Sequence, residues 1–115
     1  MSLPVTAKII PISLSIPPEW LPARAKEHWE RFYNVADSVR EIVPADIMAL
    51  ASLVDAWAEY HEIRKYLQEE GNTFETEEGP ELRPEYWLMS EACNRAFEGM
   101  NRFGMTPMGR AEMGD

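Results

Sequence analysis

One stretch constrains this chain more than any other: PADIMALASLVDAWAEYHEIRKYLQEEG, residues 44–71. Pro44 suits the first turn of a helix, Asp46 puts negative charge where the helix dipole favours it, and Gly71 can take the left-handed conformation that stops one. No proline or glycine interrupts the residues between them. Ile47, Leu50, Val54, Trp57 and His61 recur at helical spacing as one seam, and Leu53, Tyr60, Ile63 and Leu67 form a second beside it. The pattern predicts a helix over about 45–70. Two apolar seams exceed what one small partner helix covers, so this helix is expected to pack on both sides, within the subunit and against another copy.

The flanking segments fit around it. Leu21, Ala25, Trp29, Phe32, Ala36 and Val39 recur every three or four residues and predict a helix over about 20–40. After Gly71, the run NTFETEEGPELR combines strand-favouring Thr73, Phe74 and Thr76 with turn chemistry at Glu78-Gly79-Pro80, which predicts a hairpin over about 72–83. Pro84 then opens a helix over about 84–103, with Met89, Ala92, Cys93, Ala96, Phe97, Met100 and Phe103 on one face. Gly104 closes it, Thr106 is an amino-cap residue and Pro107 fits a first helical position, so a sharp reversal into a short helical turn is encoded. Residues 1–19 carry Pro4, Pro11, Pro17 and Pro18 among β-branched residues and read as an extended arm. The expected fold is mainly α, with two to three packed amphipathic helices, a small β-hairpin insert and a short C-terminal helical turn. It forms one domain over 20–115 behind the arm.

Composition narrows the function. A chain of 115 residues can bury a core of its own without staples. Its single cysteine, Cys93, excludes an internal disulfide and a four-cysteine metal site. No run approaches the roughly 18 apolar residues of a spanning helix, so no membrane partner is expected and the cytoplasm is the default location. The net charge of −9 is unevenly spread: residues 1–40 sum to +1, residues 41–83 to −8 and residues 84–115 to −2. Any anionic ligand must therefore be met away from the middle of the chain, or by several copies acting together.

No motif carries bond chemistry. HEIRK lacks the second histidine of a zinc-binding His-Glu-x-x-His, because Lys65 stands in its place. His61 reads as a packing residue and Cys93 as an apolar filler. The glutamates around 69–81 read as a solvated run. There is no phosphate-cradling glycine loop and no nucleophile with a base at motif spacing, so no catalytic role, metal or cofactor is expected. Arg24 and Arg31, seven residues apart, fall on nearly one line of the first helix, with His28 between them and Lys26 on another flank. Together with Lys8 on the arm they are candidate phosphate contacts, weak singly and multiplied by oligomerisation. The plainer alternative is surface pairing with Glu27 or a neighbour's acidic face. Nothing reads base edges, so any sequence preference would come from DNA shape. Trp29 and Trp57 fall within helical seams as core residues. Trp20 and Trp87 stand near helix starts, and with Trp57 and Tyr60 of the double-seamed helix they form the expected subunit interface.

Gly104-Met105-Thr106-Pro107-Met108-Gly109-Arg110 resembles the lGLTPxSR signature that closes the core of the P27 family of phage terminase small subunits. The resemblance runs in order through PEWL and AKEHW, the long acidic-started helix, the hairpin, the proline-started helix and the closing motif, over about residues 17–113. Three positions depart from it. Arg83 precedes Pro84 where asparagine is frequent, which is expected to weaken a helix cap. Gly109 replaces a small hydroxyl residue before Arg110. The sequence stops five residues after that arginine, without a long arm for the large subunit. The resemblance implies a mostly helical subunit that assembles into a homo-oligomeric ring and recognises viral double-stranded DNA. Such a subunit delivers DNA to the large terminase subunit and modulates its ATPase and nuclease, performing no bond chemistry itself. The competing reading is an acidic helical adaptor or inhibitor that binds a protein and makes no DNA contact.

Overall fold

The computed structural model describes residues 15–114, so Lys8 and most of the proline-rich arm lie outside the described residues. Helix α1 spans Ala23–Val39 and starts three residues later than the periodicity predicts. The prolines account for the delay: Leu21 donates its backbone N–H to the carbonyl of Pro18 at 3.1 Å, which closes a turn, and helical bonding begins only after Pro22. Leu21 is buried by that turn while Trp20 is left 61% exposed. At the far end, the Asp37 carboxylate accepts the N–H of Ile42 at 2.9 Å and holds that buried side chain under the helix. A single 3-10 turn at Pro44–Asp46 follows, with Asp46 accepting the N–H of Val43 at 3.0 Å, and leads into α2, Ile47–Glu70.

Both seams of α2 are covered within the chain. Helix α1 packs along one side and α3, Pro84–Arg102, along the other. The resulting core contains Leu21, Ala25, Trp29, Phe32, Ala36, Leu50, Leu53, Val54 and Ala58, with Trp29 wholly enclosed. Burying an aromatic of that size contributes on the order of 3 kcal/mol. Helix α3 differs from expectation in how it meets α2: its buried side chains are the small Ala92 and Ala96, while Phe97 remains 56% exposed. The cause is close approach. A Cβ at Gly99 would stand 2.9 Å from the Cβ of Leu53, so the helices meet along small residues and the larger ones fall to the flanks.

Strands β1, Thr73–Thr76, and β2, Gly79–Leu82, form an antiparallel hairpin in which Phe74 faces Glu81 and Glu75 faces Pro80. The Thr76 hydroxyl donates to the carbonyl of Gly79 at 2.6 Å and accepts the N–H of Glu78 at 3.2 Å, closing the turn. The strands pack chiefly on each other. As expected, Arg83 gives α3 no side-chain cap. Its guanidinium serves the preceding helix instead, donating to the carbonyls of Gly71 at 3.0 Å and Glu70 at 3.3 Å, groups a helix end otherwise leaves to water.

The closing motif builds the reversal. Gly104 takes φ +68° and Met105 donates its N–H back to the carbonyl of Met100 at 2.8 Å, which ends α3. Thr106 then caps α4, Pro107–Glu112, accepting the N–H of Gly109 at 2.9 Å, while its hydroxyl donates to the Asn101 side chain. Gly109 is buried, and a Cβ there would run into the backbone carbonyl of Asn101. The bare backbone is what lets α4 fold so closely onto the end of α3. Arg110 ties the turn by donating to the carbonyl of Gly104 at 3.3 Å.

Candidate nucleic-acid interface

The cations of α1 do not share one environment. Arg24 reaches across to α2, its Nη1 donating to Glu62 at 3.1 Å and its Nη2 to Asp55 at 3.4 Å. With two carboxylates as partners, Arg24 staples α1 to α2 and offers little net charge to a phosphate. Lys26 and Arg31 are exposed and have no carboxylate within ion-pairing distance among the described residues. Arg31 instead stands 3.3 Å from Nδ1 of His28 and lies over the Phe32 ring, 5.8 Å from its centroid. His28 pairs through Nε2 with Glu27 at 3.3 Å. Two side chains seven residues apart on one helix line thus end in different electrostatic settings, because only Arg24 reaches the acidic flank of α2.

A second group of cations is one that periodicity alone does not single out. His61 and Arg64 lie one turn apart on α2, and with Trp57 and Tyr60 they face a cavity of about 180 Å³ whose other wall is Cys93, Ala96, Phe97 and Met100 of α3. Trp57 stands edge-on to His61 at 4.3 Å between centroids and to Phe32 at 5.6 Å, so the aromatic lining continues from α1 to α3. Burial holds the His61 imidazole below the ordinary histidine value, and the positive charges of Arg64, His28 and Arg31 push it the same way. The same field makes this the cationic side of an acidic molecule, since Arg64 has no carboxylate partner among the described residues either. The sequence signal was the HEIRK run, whose value lies in its position beside His28 and Arg31 across the helix pair.

The aromatic residues expected at a subunit interface divide in two. Trp20 and Trp87 are 61% and 64% exposed. Trp57 and Tyr60 are half-buried at the cavity wall. Among the described residues no cluster of three or more His, Cys, Asp or Glu is placed to hold a metal ion, and no helix is long and apolar enough to cross a membrane.

A family model described as "Phage terminase, small subunit" matches residues 25–115, well over half of the chain. The chain belongs to the phage terminase small-subunit family. The match starts within α1 and takes in the long helix, the hairpin, α3 and the closing motif, so the family's shared region is the described helical unit itself. Comparison with curated proteins and with solved structures gives no match.

Proposed function

We propose that this terminase small subunit is the oligomeric DNA-recognition component of a phage packaging machine, of the P27 type indicated by its closing motif. It delivers viral double-stranded DNA to the large terminase subunit and regulates that subunit's ATPase and nuclease in the host cytoplasm, without bond chemistry of its own. The observation that carries this reading is the family match over residues 25–115. The distribution of charge supports a particular form of it. A molecule with net charge −9 repels DNA as a monomer, so its few uncompensated cations become useful when several copies present them together. Lys26 and Arg31, with Lys8 of the arm, are the proposed phosphate contacts; Arg24 belongs to the proposed set only through its position, since two carboxylates already hold it. The exposed Trp20 and Trp87, with Trp57 and Tyr60, are the proposed surfaces of self-association.

The test is a salt titration of duplex binding. A terminase small subunit using phosphate contacts gives a log-log slope of about −0.9 per phosphate neutralised. Tight binding with no salt dependence, or no retention of duplex even in dilute buffer, would return the chain to the acidic-adaptor reading.

A further inference from the structure

The hairpin and the cationic cavity are each incomplete alone, and their chemistries match. A two-stranded hairpin in water is marginal unless a third strand or a helix covers it. Here the strands pack chiefly on each other, held to the end of α2 by the Arg83 side chain. Phe74 and its register partner Glu81 stand on the same face. Phe74 is 38% exposed, and Glu75, Glu77, Glu78 and Glu81 are all exposed around it. Such an element presents one aromatic anchor inside a ring of negative charge.

The receptor has the complementary form. The cavity between α2 and α3, at about 180 Å³, is of the size of one large side chain, is walled by Trp57, Tyr60 and Phe97, and carries Arg64 and His61. Among the described residues no carboxylate lines it, unlike the clefts beside Asp46, Glu98 and Glu85. The hairpin of the same chain is anchored beyond Gly71, and none of its residues lines this cavity.

We propose that the hairpin of one copy docks on the next copy, with Phe74 seated in the cavity between α2 and α3 and Glu81 facing Arg64. The two surfaces lie on different parts of one chain, so the contact is heterologous: each copy offers a hairpin to one neighbour and a cavity to the other, the arrangement that closes into a ring when the rotation permits. The proposal rests on the self-association reading above and specifies its interface.

The test uses the full chain and light-scattering mass over a protein dilution series. Phe74→Ala and Arg64→Glu are each expected to raise the concentration at which assembly dissociates by at least about tenfold, roughly the 1.4 kcal/mol that tenfold represents, and Arg64→Glu combined with Glu81→Lys to recover most of that loss. Both side chains lie outside the buried core, so far-UV circular dichroism and melting temperature should stay as in wild type, separating an interface effect from misfolding. Wild-type assembly that both single variants retain would overturn the docking contact while leaving self-association in place. A double variant no better than Arg64→Glu alone would overturn the Glu81–Arg64 pairing. A wild-type chain that stays monomeric throughout would overturn both this contact and the self-association it specifies.

Discussion

Arg24 and Arg31 look alike in sequence and should behave oppositely when removed. Arg24 is 37% exposed and bonded to Asp55 and Glu62, themselves 34% and 60% exposed. Ion pairs of that exposure contribute about 0.2–1 kcal/mol each, and the aliphatic stem of the arginine adds packing between α1 and α2. Arg24→Ala should therefore cost on the order of 1 kcal/mol, a fall in Tm of about 5 °C for a domain of this size. The fall should shrink at high salt, where exposed pairs are screened. Duplex binding by Arg24→Ala should keep its salt slope, because the charge removed was already compensated. Arg31→Ala should do the reverse. Its Tm should move little, while the log-log slope should flatten by about 0.9 for every phosphate the arginine had neutralised. Thermal melts followed by circular dichroism, paired with fluorescence-anisotropy salt titrations of one duplex, read both quantities on the same preparations. If Arg24→Ala flattens the slope and Arg31→Ala leaves it intact, the assignment of one arginine to the fold and the other to phosphate is wrong.

Three further outcomes follow from the packing. Gly109→Ala places a Cβ against the Asn101 backbone, which cannot swing aside as a side chain does, so overpacking of about 1–3 kcal/mol should appear as a clear drop in Tm; an unchanged melt would mean α4 is not seated as described. Thr106→Ala removes the cap on Gly109 and the link to Asn101, and should cost about 1 kcal/mol in urea denaturation with an unchanged m-value. His61 has its folded pKa below the unfolded one, so the unfolded chain binds more protons there. Its contribution is fully present above the ordinary histidine value near 6.5 and is lost as pH falls toward the folded pKa. Melts at about pH 7.5 and about pH 5, on either side of that value, should therefore differ less in His61→Gln than in wild type. Equal differences would show that His61 is not held neutral by burial and its cationic neighbours.

Most of the architecture was legible because the signals were local. The double-seamed helix, the proline starts at Pro44, Pro84 and Pro107, and the glycine stops at Gly71 and Gly104 each act within a turn or two of themselves, and the elements formed where they pointed. What was not legible depended on how the helices meet. Periodicity put Phe97 on the same face as Ala92 and Ala96, yet the Gly99–Leu53 approach settles the helix on its small residues and leaves Phe97 outside. Arg83 read as a missing cap for the helix after it, whereas its side chain caps the helix before it, a consequence of the hairpin returning the chain to Gly71. The arginines divide for the same reason: nothing in the spacing of residues 24 and 31 says that one reaches Asp55 and Glu62 across a helix pair. The clustering of His28, Arg31, His61 and Arg64 is likewise a property of how α1 lies on α2, visible only once the two are packed.

If DNA binding by this acidic subunit is a property of its assembly, solution mass and duplex retention must change together. Measuring both across one protein dilution series at fixed low salt tests that dependence directly. A high-order oligomer is expected to form, retention to appear over the concentration range in which mass rises, and both to fall together on dilution. A chain that stays monomeric and ignores duplex, or one that holds duplex with full affinity as a monomer, would contradict it.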